Sequence, residues 1–233
     1  MPDSSPSNPT TEQLVAELIK RGATMEQVAL LKDPTANTPE EALELLQSGN
    51  SRFYSGQPQT GGVAANARRA QIMSQTPFAV ILGCSDSRVP VEIIFDQGPG
   101  DIFSIRVAGN VAESATLGSI QYAVTHLKVH LVVILGHEGC GAVAAAMQEA
   151  EVRAQESLHV RFLLDKIEPA VRDLPSIRDH KARMREAVIA NVRLQKSEVE
   201  RDEIVARAVQ SGQIRVVSAF YEIGSGAVDF LED

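Results

Sequence analysis

Phe78-Ala79-Val80-Ile81-Leu82-Gly83-Cys84-Ser85-Asp86-Ser87-Arg88 and Leu131-Val132-Val133-Ile134-Leu135-Gly136-His137-Glu138-Gly139-Cys140-Gly141 follow one pattern: a short apolar run reaches a glycine and then a polar loop. Runs of this length read as strands buried on both faces, and here they alternate with segments of helical spacing. That alternation predicts an α/β domain built on a largely parallel sheet. Strands are expected at 78–83, 102–107, 131–135, 214–220 and 227–231, giving about five, and helices at 64–74, 114–126, 142–150, 158–171 and 177–210. In open sheets of this kind, sites form at the carboxyl ends of strands, where Cys84 and His137 fall.

The chain before this domain reads differently. Residues 1–10 are rich in Pro, Ser, Thr and Asn and are expected to be a disordered tail. From 11 to 57, Leu14, Leu18, Ile19, Leu43, Leu46 and Phe53 recur at helical spacing, and Thr38-Pro39-Glu40-Glu41 is a helix start with Thr38 as cap. This N-terminal helical arm lacks a core of its own, so it must pack on the main domain or on a neighbouring subunit. The α/β domain itself is expected over 58–233.

Composition narrows the function. Among 233 residues the formal net charge is −8, and basic residues are scattered among acidic ones, which argues against a nucleic-acid partner. No apolar stretch approaches the roughly 20 residues needed to span a bilayer, and residues 1–4 carry no basic or apolar leader signal. The expected location is the cytoplasm, although a chain already trimmed of a leader would read the same way.

Two cysteines, Cys84 and Cys140, are all the chain has, and each sits beside Asp, Arg or His rather than in a disulfide-like context. A thiolate at Cys84, an imidazole at His137 and a second thiolate at Cys140 are ligands that Zn²⁺ prefers. Three such ligands with a fourth position open describe a catalytic site, and zinc there lowers the pKa of a coordinated water from 15.7 to about 7. Arg88 can grip Asp86 with its guanidinium fork. Asp86 then either orients the nucleophile or closes the site as a fourth ligand. Glycines 139 and 141 let the backbone approach the metal, with the N–H groups of a following helix facing an anion. His126, His130, His159 and His180 read as surface or packing residues.

Three motifs in order, Cys84-Ser85-Asp86-Ser87-Arg88-Val89-Pro90, Arg106-Val107-Ala108-Gly109-Asn110 and Gly136-His137-Glu138-Gly139-Cys140-Gly141, closely resemble those of the beta-class carbonic anhydrases. The resemblance runs from about Thr38 to the end. It implies zinc on Cys84, His137 and Cys140, catalysis by Asp86 and Arg88, and reversible hydration of carbon dioxide to bicarbonate and a proton. It further implies substrate-pocket roles for Gln75, Phe103, Tyr122 and Gly141, and a homodimer or higher homo-oligomer whose N-terminal helices embrace the neighbour.

The chain departs from the family at Val107, where many members have asparagine, and at Glu138-Gly139. Ile81 stands where some bacterial members carry the tryptophan of an inhibitory bicarbonate site, and this chain has no tryptophan. Two other readings share the zinc ligands: a hydrolase of carbonyl sulfide or carbon disulfide, and a weakly catalytic scaffold or bicarbonate-responsive protein.

Overall fold

The computed structural model of the chain describes residues 17–24, 35–60 and 75–232. The tail expected at 1–10, parts of the arm at 11–16 and 25–34, and the helix expected at 64–74 lie outside the described residues. Among those described, the apolar runs form a five-stranded sheet of β1 Ala79–Gly83, β2 Ile102–Arg106, β3 Leu131–His137, β4 Arg215–Tyr221 and β5 Val228–Leu231. Their order is β2-β1-β3-β4-β5, parallel except for the antiparallel edge strand β5. β1 and β3 are buried along their whole length, as their unbroken aliphatic runs require of central strands covered on both faces.

Helices cover the two faces: α1 Pro39–Tyr54, α2 Val91–Ile94, α3 Ser114–Tyr122, α4 Gly141–Ala146, α5 Ala150–Arg153, α6 Leu158–Val171, α7 His180–Arg201 and α8 Glu203–Gln210. One core gathers Val80, Leu82, Val132 and Ile134 of the sheet with Leu164 and Ile167 of α6 and Val188 and Val192 of α7. The opposite core gathers Ala79, Ile81, Val133 and Leu135 with Ala42 and Leu46 of α1 and Val91 and Ile94 of α2. α1 begins as its sequence predicts, with Glu41 N–H donating to Thr38 Oγ1 at 3.1 Å. It is tied to the sheet of its own chain by buried Asn50, which donates to Ile94 O and Gly226 O and accepts from Val228 N.

The structure corrects several element boundaries. The single helix expected at 177–210 is two, because Asp202 leaves α7 with extended backbone and caps α8 by accepting from the amides of Ile204 and Val205. The helix expected at 114–126 ends at Tyr122 and widens into a π turn, Ala123–Leu127, which Lys128 closes at φ 56°. That expected at 142–150 breaks between α4 and α5. β3 runs two residues past Leu135, since Gly136 and His137 pair with Phe220 and Tyr221 of β4, so His137 is the last strand residue rather than the first of the loop. Gly136 is where α7 packs on bare backbone: a Cβ there would lie 2.5 Å from Val192 and 2.6 Å from Val188. Among the described residues, no helix is long and apolar enough to cross a membrane.

Asp96 fastens the segment after α1 to the loop after α2. It is buried with φ 46°, and its carboxylate accepts from the amides of Gln59 and Thr60 and from Arg52 Nε at 2.5 Å. Burial pushes its pKa up, but the amides and the guanidinium outweigh that and hold it well below the usual carboxylate range. A depressed folded pKa contributes stability that is fully present above the unfolded value of about 3.9 and is lost as pH falls through the folded value. Asp96→Ala, which leaves Arg52 and two amides without their acceptor, should lower stability by about 3 kcal/mol in urea denaturation at neutral pH. The gap between variant and wild type should close as pH drops below about 4. A gap of the same size in acid would mean that the ionised carboxylate is not the clamp.

Candidate metal centre

Because β1 and β3 are hydrogen-bonded neighbours with Gly83 level with Leu135, the residues that leave their carboxyl ends meet. Cys84 is the first residue after β1, His137 the last of β3, and Cys140 the residue that precedes α4. All three are buried, and their donor atoms lie within 4.8 Å of one another. Thus the structure brings together the three ligands read from the sequence.

Zinc fits these residues on three observations. The sulfurs stand 4.0 Å apart, far beyond a disulfide and close to the roughly 3.8 Å that two Zn–S bonds of 2.3 Å subtend at a tetrahedral ion. His137 Nδ1 donates to Glu138 O at 3.0 Å, which leaves Nε2 as the bare lone pair, and that buried nitrogen has no hydrogen-bond partner. The thiols also share one charge. A hydrogen bond from Cys140 holds Cys84 toward thiolate, with the Gly109 amide contributing, while that same thiolate and burial push Cys140 up. A divalent cation is what lets both ionise.

Asp86 stands beside this cluster. Arg88 holds it through Nε to Oδ1 at 3.0 Å and Nη2 to Oδ2 at 2.8 Å, and the Arg88 amide adds a third bond at 2.9 Å. The Arg88 fork keeps the Asp86 carboxyl well below the usual carboxylate range. Oδ2 lies 4.0 Å from His137 Nε2, so the carboxylate flanks the ligand set while committed to Arg88. Gly141 opens α4 directly after Cys140, with open space where a side chain would be.

The other expected pocket residues lie elsewhere. Gln75 is exposed and precedes β1, so the whole strand separates it from Cys84. Phe103 pairs with Val80, placing it three residues, about 10 Å, down the strand from the level of Gly83. Tyr122 packs beside Phe103 with ring centroids 6.3 Å apart and is 48% exposed. These three gather toward the amino-terminal ends of the strands, away from their own chain's cluster.

Sequence reading assigned no role to three residues that shape the site. Arg106 straps the ligand loop by donating to Cys84 O at 3.0 Å and to Asp86 O at 2.5 Å. The Gly109 amide donates to Cys84 Sγ at 3.4 Å. Glu138 pairs with Lys181 of α7 at 3.1 Å and accepts from the Gly224 amide at 3.2 Å, anchoring the loop between His137 and Cys140. The first two lie in the Arg106 to Asn110 motif, which was visible as a motif but silent about its bonds. Glu138 read only as a departure from small or polar residues.

Comparison with known proteins agrees with the geometry. The sequence model of the family described as carbonic anhydrase matches residues 79–228. A protein named carbonic anhydrase 2 from Mycobacterium tuberculosis is 39% identical over 194 residues, covering 83% of this chain and 92% of that protein. A carbonic anhydrase of Mycolicibacterium smegmatis is 36% identical over 201 residues, covering 84% and 94%. Among solved structures, one of the tetrameric beta-carbonic anhydrases from the filamentous ascomycete Sordaria macrospora superposes with a TM-score of 0.67 at 25% identity, covering 82% of this chain and 97% of that one.

Cys140→Ser replaces a buried sulfur ligand and should weaken zinc binding by more than the roughly 100-fold upper range of outer-shell changes. Elemental analysis after dialysis against a chelator reads this directly. Zinc retained at the wild-type level would remove Cys140 from the ligand set.

Proposed function

This chain belongs to the beta class of the carbonic anhydrase family, zinc lyases that interconvert carbon dioxide with bicarbonate and a proton, and we propose that it performs the reaction with Asp86 and Arg88 beside the three-ligand centre. Zinc held by Cys84, His137 and Cys140 supplies the Lewis acidity that makes water a nucleophile near neutral pH.

The observation that carries Asp86's role is its two-toothed grip by Arg88 within reach of the ligand set. Held in that grip and ionised, Asp86 accepts a hydrogen bond from the attacking oxygen and so turns a lone pair toward carbon dioxide. The same grip keeps its oxygens from serving as a fourth ligand. Backbone donation at Gly141 then steadies the anionic product at the start of α4. Relatives named carbonic anhydrase span more than four-fifths of this chain, which supports carbon dioxide over its sulfur analogues and over a scaffold role.

The assembly is a homo-oligomer, a dimer or a multiple of one, and Gln75, Phe103 and Tyr122 complete the pocket of a neighbouring subunit rather than their own. Their position at the far ends of the strands and the exposure of Tyr122 support this. We place the reaction in the cytoplasm, where the free thiols of Cys84 and Cys140 stay reduced for the metal.

Stopped-flow hydration of carbon dioxide with a pH indicator, on protein of measured zinc content, tests this reading. Asp86→Ala should keep its zinc and lose about 100-fold in rate, the size of effect expected when a reacting group loses its orientation. Since Asp86 stays ionised, the ratio of wild-type to variant rate should be flat between about pH 6 and pH 9. A ratio that shrinks toward pH 6, or loss of zinc from the variant, would count against this role.

A further inference from the structure

Gly109 holds the amide that faces Cys84 Sγ, yet it has no side chain with which to fix itself. Its φ is 70°, and a Cβ there would lie 2.4 Å from Ile167 Cδ1 and 3.2 Å from the Ala142 Cβ, so no larger residue fits. The loop is instead gripped from α7. Asn191 Nδ2 donates to Gly109 O at 3.0 Å, and Asn191 Oδ1 accepts from Gln195 Nε2 at 3.0 Å. Gln195 in turn accepts from the Ala112 amide at 2.8 Å through Oε1 and donates to Lys166 O of α6 at 3.2 Å.

Both side chains are buried, at 0% and 1% exposure, one turn apart on a helix whose other inward positions are aliphatic. A buried amide pair is expensive to place in such a core unless every polar atom is satisfied, and the bonds of Asn191 and Gln195 converge on one loop and its support. A purely structural tie between α6 and α7 would not need to reach Gly109 O and the Ala112 amide.

We infer that Asn191 and Gln195 are positioning residues for the metal centre, holding the Gly109 amide against the Cys84 sulfur from α7, which packs in the same core as Cys84. This rests on Cys84 being a zinc ligand. Through that contact the pair fixes where the sulfur sits and drains part of its negative charge, as outer partners of metal ligands do.

The test uses the full-length chain. Asn191→Ala removes the bond to Gly109, and Gln195→Met keeps the side chain's length while removing its hydrogen bonds. Val199→Ala, buried on the same helix but outside the network, is the structural control. Zinc affinity is read by chelator competition, and the thiolate-to-metal charge-transfer band is read after cobalt substitution. Both amide variants should bind zinc about tenfold more weakly and shift the band, while the control loses stability with wild-type affinity and an unshifted band.

Unchanged affinity and band in folded amide variants would overturn the inference, as would an equal loss in the control. Amide hydrogen exchange of the wild type gives a reading independent of any variant's folding: Gly109 should exchange slowly, and exchange at the rate of a free amide would also overturn it. Failure of the underlying ligand reading would look different, because cobalt-loaded wild type would then show no thiolate band at all.

Discussion

Three electron-rich donors converge at one buried point, and the rest of the molecule is arranged around that constraint. Two thiolates and an imidazole with a bare nitrogen cannot share a buried volume without a cation, because one thiolate suppresses the ionisation of the other and the lone pair on His137 has no proton donor to meet. A divalent metal resolves both problems at once. The parallel pairing of β1 with β3 brings the donors to one end of the sheet, and the glycines at 136 and 139 permit the close packing and the φ 65° turn that carry the chain from His137 to Cys140.

Helix α7 acts as a template for that arrangement. Near its start Lys181 holds Glu138 between two ligands, Val188 and Val192 press on the bare backbone of Gly136, and further along Asn191 and Gln195 hold the loop that faces Cys84. Both ligand loops are therefore referenced to one rigid element. The ion pair of Asp86 and Arg88 sits outside this frame, beside the ligand set, with Arg88 more exposed than Asp86.

The strands and the ligands were legible in the sequence because their signals are local. A valine, isoleucine and leucine run bounded by glycine announces β1 and β3, and cysteine and histidine at fixed spacing announce the metal. What escaped reading depends on contacts between residues distant in the chain. Asp202 ends α7 because its carboxylate prefers the amides of Ile204 and Val205, a choice that helical periodicity does not reveal. Asp96 adopts a left-handed conformation because Arg52, Gln59 and Thr60 surround it. Asn191 and Gln195 looked like ordinary polar residues of a charged helix, and only the fold turns them inward. Gln75, Phe103 and Tyr122 matched a family pattern by sequence, whereas the register shows that one chain does not carry them to its own cluster.

X-ray absorption at the zinc edge, on protein loaded with one equivalent of metal, tests the central claim most directly. Two sulfur scatterers near 2.3 Å, with nitrogen and oxygen completing four-fold coordination and the multiple-scattering signature of a single imidazole, are expected. A shell of nitrogen and oxygen alone, or of four sulfurs, would contradict a centre built from Cys84, His137 and Cys140.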